Sequence, residues 1–328
     1  MADKLQRYRG KRDPRRTSEP MPAEGPPSSG SDDTFVIQEH HARSLHWDLR
    51  LERDGVLVSW AVPKGLPPDP DTNHLAVRTE DHPMEYATFE GEIPAGEYGG
   101  GTMTIWDRGR YVTEKWSDRE VKVVLNGSRV SGRYVLFRTR DRNWMIHRMD
   151  PPVEGWERPP DSLAPMTPVT RSRAPRDPRG YGWEFAWGGL RAFAHVRGGR
   201  LTLRSATGDD ITRDHRWLRP MAEAFGSRSS ILDGEIAPLA GTPVYIAYDV
   251  LHDEGESLLD APYTARRATL EGMGIAGPRW QTAPAWPGEL AAVRQAARAQ
   301  ELPGVVGKRL DSPYRPGEES PDWVYLPS

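Results

Sequence analysis

The chain has 328 residues, 37% hydrophobic and 28% charged, with 12 tryptophans and a formal net charge of −3. At roughly 100–200 residues per domain this suits two modest domains with real cores, and the near-neutral balance gives no global sign of a polyanion-binding protein. The lack of any cysteine excludes disulfides, thiolate metal sites and cysteine nucleophiles, leaving His and carboxylates as metal ligands. No apolar stretch approaches the ~18–20 residues that span a bilayer. The charged start has no apolar core behind it, unlike a secretory signal, so a cytoplasmic location is expected.

Taken in chain order, the first segment is basic. Lys4, Arg7, Arg9, Lys11, Arg12, Arg15 and Arg16 face only Asp3 and Asp13. With the Pro/Gly/Ser-rich spacer at 20–33 it predicts a flexible arm over 1–33, solvated or in contact with phosphate. From Phe35 to about residue 150 the pattern is β: HWDLRLE, VLVSWAVP, TMTIWD, VKVVL, RYVLFR and NWMIHR are short and rich in β-branched or aromatic residues. Asp54-Gly55 and Asn126-Gly127 read as two-residue hairpin turns and Asp107–Gly109 as a longer one. Many short strands with tight turns predict a small barrel or sandwich over 34–150. Prolines 151, 152, 159, 160, 165, 168, 175 and 178 then mark a linker over 151–179. Beyond 180 the pattern is mixed, with strand-like RAFAHV, RLTLRS and PVYIAYDVL beside helical runs at 264–273 and 288–300. The fold class expected is therefore α+β in two domains, a compact N-terminal β-barrel and a C-terminal α+β domain over 180–328.

Chemistry concentrates in FVIQEHHARSLHWDLRL at 35–51. Side chains on a strand alternate faces, so Leu45, Trp47, Leu49 and Leu51 point into one core while His46, Asp48 and Arg50 project together from the other. Two imidazoles and a carboxylate can hold a divalent ion with open positions for water and substrate. His40 or His41 supplies the second imidazole on this reading, and Arg50 can fork onto a phosphate oxygen. Lys64, ending the returning strand, is placed to reach the same face, and His82 lies in a turn before Tyr86. Gly99–Gly101 lacks the helix a P-loop needs and reads as a turn or bulge.

From Tyr8 to about Asp150 these residues closely resemble the 3′-phosphoesterase domain of bacterial DNA ligase D. The stretches that carry the likeness are FVIQEHHARSLHWDLRLE, SWAVPKG, LAVRTEDHPMEYATFEGEIPAGEYGGGTMTIWDRG and the RYVLFR–NWMIHR end. The resemblance implies a β-barrel acting on DNA primer ends that bear a 3′-phosphate or 3′-ribonucleotide, with manganese preferred over zinc or another divalent ion. It makes His40, His46 and Asp48 the metal ligands, His40 over His41 by motif position. It makes Arg50, Lys64 and His82 the phosphate clamp or transition-state stabilisers, with His82 alternatively a general acid, and Tyr86 a support. Arg12, Asp13 and Glu19 fall in a segment similar to the family's mobile N-terminal strap, which contacts substrate over the site. The sequence departs from the family at His74, where a basic residue such as arginine is expected. The chemistry implied is Lewis-acid activation of phosphate and water by the ion, with cationic side chains offsetting the developing charge.

From about Pro165 onward the chain resembles the adenylation domain of ATP-dependent DNA ligases, on YGWEFAWGGLRAFAHV, SILDGEIAPL, YIAYDVLHDEGESLLDAPYTARRATLEGMG and PGVVGKRLDSPYRPGEESPDWVYLP. The ligase motif Lys-x-Asp-Gly-x-Arg corresponds to Ala186, Trp187, Gly188, Gly189, Leu190 and Arg191, so nucleophile and aspartate are both missing. No lysine occurs between Lys122 and Lys308 to replace it, and a phosphoramidate cannot form without an amine. Glu184, Arg191, Asp233, Glu235 and Lys308 survive. A degenerate ligase-like domain with ATP an unlikely cofactor is the expectation. The whole is expected to heal DNA 3′ ends in non-homologous end joining, nucleoid-associated, beside a Ku-type end-binding protein and a separate ligase or polymerase. The competing reading is a non-catalytic DNA-end or repair-partner binding protein.

Overall fold

The computed structural model describes every residue except 1, 2, 23, 25–29 and 227, so the spacer expected at 20–33 lies partly outside the described residues. The chain forms two compact units, Met1–Glu154 and Gly155–Ser328. Among the described residues no helix is long and apolar enough to cross a membrane.

Among the described residues, nine strands build the first unit: β1 Thr34–His41, β2 Leu45–Arg53, β3 Val56–Val62, β4 His74–Arg78, β5 Gly91–Ile93, β6 Gly101–Trp116, β7 Glu120–Gly127, β8 Ser131–Arg140 and β9 Asn143–Arg148. They run in the order β1-β2-β3-β4-β9-β8-β7-β6, and β6 pairs back onto β1, closing a barrel to which β5 adds a short flap. Closure leaves no long unpaired edge. Inside, Leu45, Trp47, Leu49 and Leu51 of β2 pack with Phe35, Ile37, Trp60, Tyr111, Leu125, Leu136 and Ile146, as the alternation predicts.

The turns differ from the sequence reading in two places. Asp54 and Gly55, both at positive φ (49° and 76°), make the two-residue hairpin between β2 and β3. Asn126-Gly127, however, is still within β7, and the turn lies beyond it at 128–130. Asp107–Gly109 is no turn at all, because β6 runs straight through it. Asp107 sits where the β1–β6 register shifts, and its buried carboxylate accepts from the backbone N–H groups of Ser128, Arg129 and Val130. An Asp-x-Gly triplet that signals a turn is spent here on capping a neighbouring one.

The basic arm is also not the free tail expected. Leu5, just before a single turn at Gln6–Arg9, and Tyr8 within it, apolar at helical spacing among the cations, are buried against Val56, Leu57, Tyr86, Ile93 and Met103. Lys and Arg stems can then lie along the barrel while that apolar anchor holds the segment.

The second unit is α+β. One sheet orders Arg200–Ser205, Leu190–Arg197, Ser229–Leu239, Thr242–Asp253 and Trp280–Thr282; the other orders Thr167–Thr170, Glu319–Pro327, Gly304–Arg309, Tyr181–Ala186 and Ala285–Pro287. Helix Tyr263–Gly272 buries Leu270 against the first sheet, and helix Leu290–Ala299 buries Leu290, Val293 and Ala297 against Trp183, Val305 and Val324 of the second. Part of the Pro-rich stretch is structured: Met166 is buried and Thr167–Thr170 pairs with the C-terminal strand.

Candidate metal centre

The face of β1 and β2 turned away from the barrel core carries Gln38 and His40, and His46, Asp48 and Arg50. It is roofed by the arm and the 3-10 turn Met84–Thr88. Tyr8 lies edge-on to His82 and Tyr86, and Gln38 donates to the carbonyls of Tyr86 and Phe89. An open cleft of about 1150 Å³ remains, lined by His40, His46, Asp48, Arg50, Arg12, Glu19, Glu80, His82 and Tyr86, with the 95–101 loop as its other wall.

His40, His46 and Asp48 each offer one ligand atom, all within 4.8 Å of one another. The hydrogen bonds decide which nitrogens face the cluster. A carbonyl can only accept, so His40 Nε2–H donates to Gly99 O at 2.8 Å, and His46 Nδ1–H donates to Ser44 O at 3.0 Å. Among the described residues His40 Nδ1 is left buried without a hydrogen-bond partner, 3.8 Å from Asp48 Oδ2, and His46 Nε2 lies 3.8 Å from Asp48 Oδ1. Donors on a shared ion with bonds of about 2.1 Å stand roughly 3 Å apart, so little contraction is needed. Two imidazoles fixed by carbonyls at the far nitrogen, plus one carboxylate, form a donor set that could hold a divalent ion, and the buried His40 Nδ1 fits that use.

Arg50 is less free than its place in the motif suggests. Nη2 donates to Asp48 Oδ2 at 2.8 Å, Nε to Gln38 Oε1 at 2.7 Å and Nη1 to Ser59 Oγ at 3.0 Å, and the guanidinium packs 4.6 Å from the Tyr86 ring. Of five N–H donors, two remain for a ligand. Burial raises the Asp48 carboxyl, but Arg50 and the two imidazoles outweigh it and hold the group well below the usual carboxylate range. His82 moves the opposite way: burial, reinforced by Arg50 and Arg12, pushes its imidazole well below 6.5. Its Nδ1–H donates to Glu80 O at 2.9 Å, leaving Nε2 as acceptor 3.5 Å from Arg12 Nη2. Arg12 in turn binds Glu19 at 2.8 Å and Glu80 at 3.2 Å, and Tyr86 Oη donates to Glu19 at 2.8 Å.

The structure thus gathers His40, His46, Asp48, Arg50, His82, Tyr86, Arg12 and Glu19 around one cleft. Lys64, exposed beyond the end of β3, and Asp13, which accepts from Arg15, do not line it. His74 is buried on β4, donating to Gly65 O, away from the lining. Gln38, Glu80, Glu97 and Tyr98 were not foreseen. Gln38 lies two residues from His40 on β1 and so shares its face by alternation, whereas Tyr98 and Glu97 carry no pattern that marks them.

In the second unit, Ala186 ends its strand and Gly188 turns the chain at φ 69°, with Pro303 Cγ 2.8 Å from where a Cβ would stand. Glu235 accepts from the N–H groups of Trp187 and Gly189, each at 3.0 Å, and Arg191 forks onto Asp233. Lys308, 1% exposed, donates to Tyr248 O at 3.0 Å between Glu184 at 3.2 Å and Asp249 at 3.6 Å. Glu184, Arg191, Glu235 and Lys308 edge a pocket of about 260 Å³ with Phe185, Trp187 and Trp323.

Comparison with known proteins accords with this division. Residues 38–138 match the model of the DNA ligase D 3′-phosphoesterase domain, and residues 238–326 that of the ATP dependent DNA ligase domain. The multifunctional non-homologous end joining DNA repair protein LigD of Mycobacterium tuberculosis is 43% identical over 345 residues, 99% of this chain and 45% of that protein. The LigD of Pseudomonas aeruginosa is 32% identical, over 98% of this chain and 47% of that protein. The chain therefore spans about half the length of these relatives. The crystal structure of the ligase domain of M. tuberculosis LigD aligns over 50% of this chain and 59% of that domain, at 28% identity and a TM-score of 0.46.

Proposed function

The chain joins a DNA ligase D 3′-phosphoesterase domain to an ATP-dependent DNA ligase domain, and from that premise we propose that its first unit removes 3′-phosphates and 3′-ribonucleotides from DNA ends in non-homologous end joining. The observation that supports this reading is His40 Nδ1, without a hydrogen-bond partner among the described residues and buried beside His46 Nε2 and Asp48 in a cleft that Arg12 and Arg50 also line. His40, His46 and Asp48 hold the ion, with manganese the proposed metal. Such an ion polarises a phosphate oxygen and lowers the pKa of bound water. The chain's own groups do the rest. Arg12 and the two uncommitted N–H groups of Arg50 receive the phosphoryl oxygens. Neutral His82, depressed by burial and further by Arg50 and Arg12, offers Nε2 as a proton acceptor rather than as an acid; a bound phosphate dianion would offset only the arginines' share.

The second unit we read as a ligase domain without adenylation. Ala186 has no amine, and Lys308 is flanked by two carboxylates and a carbonyl rather than free to attack. The pocket retains aromatic walls, so nucleotide affinity is separable from covalent chemistry. A cytoplasmic, nucleoid-associated role beside a Ku-type protein and a separate ligase or polymerase completes the proposal.

The test is phosphate release from a primer–template bearing a 3′-phosphate or a 3′-ribonucleotide, with manganese present or chelated, for wild type and His46→Ala. Manganese-dependent release that the variant lacks is expected. No release from folded, metal-loaded protein on either end would leave a DNA-end binding module as the better account.

A further inference from the structure

The loop that forms one wall of the cleft does two jobs on three consecutive residues. Glu97 accepts from Arg16 of the arm at 2.7 Å. Tyr98 Oη accepts from Lys11 at 2.8 Å and stands 3.4 Å from Glu80, while Lys11 Nζ lies 4.0 Å from the Tyr98 ring centre. Gly99 gives its carbonyl to His40 Nε2 at 2.8 Å. Glu97 and Gly100 are themselves tied into one tight turn, since Gly100 N–H donates to Glu97 O at 3.1 Å and Glu97 N–H to Pro94 O at 3.1 Å. Gly99 is at φ 79°, in the left-handed region, so the direction of its carbonyl depends on a conformation that other residues adopt only under strain. Tyr98 itself is 46% exposed and buries too little surface to be explained as core.

From this juxtaposition we propose that Tyr98 is a positioning residue, and that docking of the arm onto Glu97 and Tyr98 sets the Gly99 carbonyl that orients His40. The arm and the metal are then two ligands of one loop. Each must strengthen the other by the same factor, since coupling between binding events is reciprocal. The usual consequence of losing an outer partner of a metal-binding imidazole is a 10- to 100-fold loss of affinity. Tyr98 acts one bond further out, and a loss of roughly threefold to tenfold is expected. This inference rests on the metal reading of His40, His46 and Asp48, and adds to it that part of the site's metal affinity resides in residues that touch neither metal nor phosphate.

The experiment titrates full-length protein with manganese alone, following free Mn²⁺ by electron paramagnetic resonance, for wild type, Tyr98→Phe, the arm variant Lys11→Glu/Arg16→Glu, and their combination. Thermal melting of each variant separates folding from binding. Both variants should bind manganese several-fold more weakly, and the combination no more weakly than the worse of the two, because they break one path. Conversely, manganese should slow tryptic cleavage between Arg7 and Arg16 of the wild type by a matching factor, and not in His46→Ala. Wild-type affinity in both variants, whether or not the arm is released, overturns the coupling while leaving the metal centre intact. Absence of manganese binding in the wild type, or binding untouched by His46→Ala, would instead remove the metal centre and the proposed function with it.

Discussion

Arg50 and Asp48, two residues apart on one strand, share a hydrogen bond of 2.8 Å from Nη2 to Oδ2, and both side chains are less than a tenth exposed. Neighbours on the same face of a strand seldom pair so closely, since extended backbone sets them some 7 Å apart at Cα. The pairing makes Arg50 the anchor of the proposed ligand as well as a candidate clamp. Arg50→Lys keeps the charge but loses the fork and should weaken manganese binding about 10- to 100-fold with the barrel intact. Arg50→Ala leaves the buried carboxylate unpaired and should cost about 3–5 kcal/mol. Manganese titration and urea unfolding distinguish the two effects.

Asp107 provides a structural contrast. Its carboxylate accepts from Ser128, Arg129 and Val130 N–H groups far along the chain from the metal ligands. Hydrogen bonds to a charged acceptor contribute about 1.5–3 kcal/mol each, without simple additivity. Asp107→Ala should lower the urea midpoint of the first unit by an amount equivalent to about 2–4 kcal/mol. Activity per folded molecule should be unchanged; an activity loss in fully folded protein would place Asp107 in the site after all.

The second unit carries a pH dependence of its own. Burial, reinforced by Arg204, pushes the His195 imidazole down to about 4 from 6.5. Between those values the unfolded chain binds a proton that the folded chain refuses. The stabilisation is therefore complete above pH 6.5, declines as pH falls toward about 4, and changes no further below. At about 1.4 kcal/mol per pH unit the total is about 3 kcal/mol at most. Urea unfolding of wild type and His195→Gln at pH 7 and pH 4.5 should show a steeper acid loss in the wild type, and equal slopes would refute the assignment.

Gly188 tests why the ligase motif is not simply one substitution from repair. A side chain there must adopt φ near 69° and displace Pro303, which stands 2.8 Å from the Cβ position. Gly188→Asp should destabilise the second unit by about 1–3 kcal/mol. Ala186→Lys combined with Gly188→Asp should form no covalent adduct with radiolabelled ATP. Labelling at position 186 of that double variant would show the pocket to be more competent than proposed.

Much of the centre was legible in the chain because strand alternation is strictly local. Leu45, Trp47, Leu49 and Leu51 fall on one face and His46, Asp48 and Arg50 on the other whatever the rest of the protein does. Alternation leaves His40 and His41 open; the family resemblance favours His40 by motif position, and the β1–β2 register sets His40 opposite His46. Lys64 stands exposed beyond the end of β3 and does not line the cleft, a position that depends on where β3 ends rather than on local pattern. Asp107–Gly109 imitates a hairpin turn, and only the course of β6 shows that its carboxylate serves a different turn. The arm reads as a solvated tail from its charges, yet two apolar residues, Leu5 and Tyr8, are buried against the barrel.

The sequence by itself determined the two-domain α+β plan, the polar face of β2 and the presence of alanine at position 186, because each depends on residue type and short spacing. Tertiary structure alone decided which imidazole nitrogens face the cluster, that Arg50 is committed to Asp48, and that Glu97, Tyr98 and Gly99 link the arm to His40. The orientation of His40 and the link from arm to loop depend on hydrogen bonds between segments tens of residues apart, such as Lys11 with Tyr98 and His40 with Gly99. No local pattern encodes such bonds, because barrel closure, and not residue spacing, brings their partners within reach.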